Sequence, residues 1–201
     1  FNGSLYNQRY LEDDENLKKD LLKIAEDPYA DNVSNIVNGM SGYFCGVVAN
    51  LEENKFTALT DKFGLSKLFY YKKEGRNLFS TNLFVLKEYL GANAEFSKFA
   101  ESSILLSGHT FTSESIIKDV HQILPGYYNR GNIQNGELNQ INYMHYPGRK
   151  DLSLEESIEL VESAHNKFWN RLKKYVMDDV TLMLSRGKDC RVLLKYMVDN
   201  G

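Results

Sequence analysis

The residues best suited to chemistry lie in one stretch, Val180 to Arg191, which reads Val-Thr-Leu-Met-Leu-Ser-Arg-Gly-Lys-Asp-Cys-Arg. An apolar run leads into Ser185-Arg186-Gly187-Lys188-Asp189, and Val192 to Met197 continues in an apolar pattern. That order predicts a strand, a tight polar loop and a helix start. Such a loop aims backbone N–H groups and the positive end of a helix at whatever sits above the strand, and phosphate is the natural guest. Ser185 can donate from its hydroxyl, Gly187 allows close backbone approach, and Lys188 supplies charge. Asp189 fits beside phosphates either as a helix cap or as a ligand of Mg²⁺. A plain strand-to-helix connection has the same pattern, and the loop lacks the GxxxxGK[ST] spacing of common nucleotidases.

The elements that position this loop follow from periodicity. Leu17, Leu21 and Ile24 have the spacing of a surface helix over 11–24, closed by Asp27-Pro28. The polar stretch 31–42 is rich in turn residues, with a short helix starting near Ile36-Val37. Tyr43–Ala49, Lys55–Thr60, Leu68–Tyr71 and Asn77–Thr81 read as short strands of an antiparallel meander. Leu83–Leu90 and Lys98–Leu106 read as helices closed by Gly91 and Gly108, and Thr112–Val120 as a short helical piece. Ile123–Tyr128 turns into a strand, and Gly131–Tyr143 forms a hairpin through Asn135-Gly136. Pro147–Lys150 is the linker. Ser153 with Glu156 forms a capping box for a helix whose inward stripe is Ile158, Val161, His165, Phe168 and Leu172. His165 reads as an edge or core histidine rather than a ligand.

The totals describe an ordinary globular chain: 201 residues, 42% hydrophobic and 25% charged, with a formal charge of −3. That charge argues against general nucleic-acid binding. No apolar run has membrane-spanning length and no signal peptide is visible, so no membrane role is expected. Cys45 and Cys190 lie far apart and read as free thiols, which places the protein in the cytoplasm. The four histidines have no zinc-ligand spacing with the cysteines, so no structural metal is expected. The chain starts at Phe1 and stops just after the last helix; one strand and one helix cannot bury a sheet, so a longer polypeptide is expected.

Several pieces occur in one order. They are Asn2-Gly3 with Leu5-Tyr6-Asn7, then Gly42 to Val48, then Thr60-Asp61-Lys62-Phe63-Gly64 with Leu68 to Tyr71, and Phe79-Ser80-Thr81. Gly108-His109-Thr110, Leu124-Pro125-Gly126 and the Ser185 loop follow. Together they resemble the glutamine-hydrolysing asparagine synthetase family across nearly the whole chain, and the Ser185 loop resembles the SGGxDS loop of ATP pyrophosphatases. The resemblance implies an α+β domain over 1–148, an antiparallel β-sandwich with flanking helices of the N-terminal-nucleophile glutaminase kind. Residues 149–201 would begin an α/β, Rossmann-like ATP pyrophosphatase domain. Ammonia freed from glutamine would attack a carboxylate, aspartate, activated as its acyl-adenylate at the expense of ATP with Mg²⁺. By the same resemblance Asn2 and Gly3 form the oxyanion hole, Leu184 touches adenine, and Ser185, Gly187, Asp189 and Cys190 hold ATP. A homodimer is also implied.

The departures set the alternatives. The family's nucleophile is an N-terminal cysteine whose own amine is the base, and the full-length protein is expected to begin Met-Cys. Cys45, inside a strand, reads as a core residue. The family's glutamine-holding Asp-x-Glu is half matched by Asp31-Asn32-Val33. Arg186 and Cys190 replace a glycine and a serine of the ATP loop. An ammonia- or amine-using ligase for another carboxylate, or a non-catalytic glutaminase-like scaffold, therefore stands beside the synthetase reading.

Overall fold

The computed structural model describes residues 2–5, 14–27, 32–144, 151–175 and 181–200. The chain forms two compact units, Phe1–Tyr146 and Pro147–Gly201. Among the described residues no helix is long and apolar enough to cross a membrane.

The first unit contains two antiparallel sheets. The larger has β1 (Asn2–Leu5), β2 (Gly42–Asn50), β3 (Lys55–Thr60), β7 (Tyr127–Asn132) and β8 (Leu138–Asn142) side by side in that order. The smaller has β5 (Arg76–Ser80), β4 (Phe69–Lys73) and β6 (Val120–Gln122). The expected meander is corrected here: β3 pairs with β7, not with β4. The chain leaves one sheet after Thr60 and returns to it only at Tyr127.

Strand alternation builds three cores from the two sheets, since successive side chains point to opposite faces. Phe44, Leu59 and Tyr128 face helices α1 (Asp14–Glu26) and α2 (Asn32–Gly39), meeting Ile24, Val33 and Val37. Their chain neighbours Cys45, Ala58 and Tyr127 face the other way, onto Leu68, Tyr70, Phe79 and Ile123 of the smaller sheet's side. The outer face of the smaller sheet, with Tyr71, Leu78 and Val120, packs on Leu83, Leu86 and Leu90 of α3 (Leu83–Leu90). Helix, sheet, sheet and helix thus stack as four layers. Leu17 and Leu21 pack with Ile24 as their spacing anticipates. Helix α4 (Lys98–Ser107) is closed by Gly108 in the left-handed region, as expected of a glycine C-cap. Gly136 at φ 66° turns the β7–β8 hairpin. No helix forms over 112–120; Ser115 and Glu114 instead pair with the backbone of Val120 and His121.

The second unit's described residues form helices α5 (Leu154–Tyr175) and α6 (Lys188–Asn200). The capping box is present: Glu156 N–H donates to Ser153 Oγ, and Ser153 N–H donates to Glu156 Oε2 at 2.8 Å. The inward stripe is corrected. Ile158, Val161 and Phe168 are exposed, whereas Trp169 is buried. Trp169 and half-buried His165, four residues apart on one face, meet Tyr196 of α6, His165 edge-on at 5.0 Å. The face that α6 covers decides burial, and that face carries Trp169.

Both transits between the sheets meet at Asp61. Its fully buried carboxylate accepts the N–H groups of Phe44, Phe63, Leu65 and Ser66. Its carbonyl accepts from Gly64 and Gly126. Tyr143 Oη donates to the adjacent Thr60 carbonyl at 2.6 Å. Asp61→Ala is expected to cost about 3 kcal/mol or more, because buried backbone donors lose a charged acceptor. Denaturant unfolding of wild type against the variant measures it. Burial, and then the Asp61 charge, raise the Tyr143 hydroxyl above the ordinary tyrosine value. The folded state therefore holds this proton more tightly than the unfolded state. Stability is full below about pH 10 and falls as pH climbs past it. Unfolding midpoints between pH 8 and 11 should fall less steeply in Tyr143→Phe; Tyr70 and Cys45, raised by burial, keep part of the slope.

Candidate functional site

Two places carry the residues that the sequence singles out, one in each unit. In the first, Asn2 and Gly3 lie on β1, opposite Cys45 and Phe44 of β2. An Asn-Gly pair by itself reads as a turn; here the free edge of β2 offers a ladder, and the pair is strand. Among the described residues β1 is an edge strand with a neighbour on one side only, so alternate backbone N–H groups along it find no ladder partner among them.

Cys45 is buried beside this strand, and its Sγ lies 3.6 Å from the Lys67 carbonyl oxygen. Burial pushes its thiol above the usual range. A thiol held protonated in a core is a poor nucleophile, which agrees with its reading as a packing residue. Of the half-matched Asp31-Asn32-Val33, Asp31 and the Asn32 side chain lie outside the described residues. Val33 is fully buried on α2. Its side chain cannot hold a polar substrate.

In the second unit the expected strand before the loop is absent over 181–184, and Val180 lies outside the described residues. An isolated strand has no ladder for its backbone groups, and the described residues of this unit contain no second strand. Ser185 closes the loop on itself: its Oγ accepts the Gly187 N–H at 3.1 Å and lies 3.1 Å from Cys190 Sγ. A Cβ on Gly187 would stand 3.2 Å from that oxygen, so the tight turn favours glycine. Helix α6 begins at Lys188, so Asp189 is in its first turn and is not its cap. There a carboxylate is favoured by the helix dipole. Leu184, Arg186, Lys188 and Asp189 are exposed. Arg186 therefore does not fill the loop, and a cationic side chain reaching outward is compatible with phosphate.

Sequence patterns did not mark everything. Asp61 stands out only as one member of the Thr60–Gly64 piece and proves to be the buried junction of two motifs. Gly108, His109 and Thr110 line a cavity of about 270 Å³ with Lys67 and Gln122. A larger concavity on the smaller sheet's outer face is lined by Tyr71, Lys73 and Arg76. Of those three only Tyr71 stood out, as the end of a strand, because no local spacing links residues that meet only through a hairpin and a helix.

Antiparallel sheets layered between helices, with an Asn-Gly pair on an edge strand, suit a domain that takes the amide nitrogen from glutamine. Residues 1–144 match the model of the glutamine amidotransferase domain family. The chain belongs to that family, and glutamine is the substrate that membership implies. No curated protein matches the chain.

The loop geometry makes a prediction. The hydrogen bond with the Ser185 hydroxyl draws the Cys190 thiol below its ordinary value. Alkylation of Cys190, followed by peptide mapping across pH, should have its midpoint below that of a free thiol. Ser185→Ala should raise it, while Cys45 stays unmodified in the folded protein.

Proposed function

We propose that the chain is the glutaminase module of an asparagine synthetase-like amidotransferase, joined to the start of an ATP-dependent synthetase unit. The placement of Asn2 and Gly3 on the edge strand of a sheet within the family-matched region carries this reading. In it, the Asn2 amide and the Gly3 backbone N–H donate to the oxyanion formed when a nucleophile attacks the glutamine carboxamide. An N-terminal cysteine of the native polypeptide supplies that nucleophile, with its own amine as base. The four-layer packing of helices and sheets supports a glutaminase of the N-terminal-nucleophile kind.

For the ATP step, the loop's donor set suits phosphate: Ser185, the glycine turn at Gly187, the start of α6, and the exposed cations Arg186 and Lys188. Leu184 would lie along adenine. Among the described residues no group of histidine, cysteine and carboxylate side chains is arranged to hold a metal. Mg²⁺ would thus be held chiefly by phosphate oxygens, with Asp189 nearby. ATP activates the carboxylate, aspartate in this reading, by making AMP its leaving group. The buried Val33 at the half-matched Asp31-Asn32-Val33, and Cys190 in place of the loop's serine, favour a second reading, in which a related ligase uses free ammonia or an amine on another carboxylate.

Pyrophosphate release from Mg-ATP by the native-length protein tests this, with aspartate or other carboxylates and with glutamine or ammonia. Aspartate-dependent release that runs on glutamine is expected. Asn2→Ala should lower the glutamine-driven rate by about 10²–10³-fold and leave the ammonia-driven rate unchanged. Release on ammonia alone would favour the second reading, and no release with any carboxylate would leave only a scaffold.

A further inference from the structure

A cavity of about 390 Å³ opens on the outer face of the smaller sheet, between the β4–β5 hairpin, α3 and the Lys118-Asp119 turn. It stands at the small end of the roughly 300–1,000 Å³ range of small-molecule sites. Its apolar wall is Leu78 on β5 with Tyr89 and Leu90 of α3. Tyr71 lies directly opposite Leu78 and is only 8% exposed. Tyr71 lines the cavity, and its hydroxyl makes no hydrogen bond to another described residue. That hydroxyl is therefore available to a molecule in the cavity.

The rim is charged. Lys73 and Arg76 stand directly opposite each other at the end of the hairpin, and neither has an ion-pair partner among the described residues. Like charges at that position repel. Glu74 and Asp119, which also line the cavity, hold left-handed backbone at φ 52° and 63°. Only one other non-glycine residue among those described does so, Asn54. At Glu74 the two-residue hairpin turn requires that conformation, and at Asp119 a short polar side chain tolerates it. The remaining acid, Glu95, is bound to Lys118 at 2.7 Å. Two cations and two carboxylates are left around one apolar wall, without net charge.

We propose that this cavity binds a free α-amino acid with a hydrocarbon or aromatic side chain. Its carboxylate bridges Lys73 and Arg76 and accepts from the Tyr71 hydroxyl. Its ammonium group faces Glu74 and Asp119, and its side chain lies on Leu78, Leu90 and the Tyr89 ring. The balanced rim gives a phosphate or nucleotide no net attraction, whereas a zwitterion satisfies both signs. The site is on the sheet that lacks β1, so it is distinct from the proposed glutamine site and does not depend on it.

Isothermal titration of the whole chain tests the assignment, using L-leucine and L-phenylalanine, their N-acetyl and methyl ester derivatives, and inorganic phosphate. Saturable binding of at least one free amino acid is expected at concentrations up to about 10 mM. The blocked derivatives should bind at least ~10-fold more weakly, a difference of about 1.4 kcal/mol. Arg76→Gln, at an exposed position that leaves folding intact, and Tyr71→Phe should each weaken binding by a similar factor. No binding of either amino acid, equal binding of phosphate or the N-acetyl forms, or unchanged affinity in Arg76→Gln would overturn the proposal.

Discussion

One buried carboxylate sets the geometry of the first unit. The chain must cross from the larger sheet to the smaller after β3 and cross back before β7, and both crossings meet Asp61. Outbound, its two oxygens gather N–H groups from both sides of the turn between Thr60 and Leu68. On the return, Pro125 packs on Gly64, where a Cβ would come within 2.8 Å of the proline ring. Gly126 then donates to the Asp61 carbonyl, and its own carbonyl accepts the Tyr143 N–H. Buried backbone donors away from any ladder must find acceptors. A carboxylate with two oxygens satisfies several at once, which a neutral side chain cannot do. The Thr-Asp-Lys-Phe-Gly and Leu-Pro-Gly motifs, far apart in sequence, are two halves of one joint.

That joint fixes the candidate glutaminase strand by way of β2. The carboxylate holds the Phe44 N–H, so Phe44 faces the helical core and Cys45 faces the smaller sheet. A slip of one residue would exchange these faces and expose an aromatic to the wrong layer. β1 pairs with this same segment, so the position of Asn2 opposite Cys45 follows from hydrophobic alternation in β2. The precision that the proposed oxyanion site would need is inherited from the core, not made locally.

Local signals made much of this legible. Strand periodicity located β2 and β3, the glycines closed α3 and α4, and the Ser153–Glu156 box opened α5. What failed were statements about partners. Nothing within Lys55–Tyr71 says that β3 prefers β7 to β4, because the preference is set by a return crossing some 60 residues later. The helical reading of 112–120 failed for the same reason, since bridges to His121 and the backbone of Val120 override local propensity. On α5, apolar residues surround more than one face, and only the position of α6 selects Trp169 over Phe168. The cavity at Tyr71 was illegible because its charges come from a hairpin and a distant turn, and part of its apolar wall from a helix.

The second unit shows how a loop's chemistry depends on what precedes it. A phosphate-binding turn works because a strand, fixed in a sheet, aims the following N–H groups at one point. Over 181–184 that strand is absent, and Ser185 spends its oxygen on Gly187. The apolar residues Ile158, Val161, Met183 and Val198 are exposed in this unit. A sheet that buried such residues would also offer 181–184 the ladder they lack. In the proposed ATP role, phosphate binding at this loop would be coupled to pairing of 181–184 in a sheet. The loop residues would then decide whether phosphate is acceptable, and the sheet how firmly it is held.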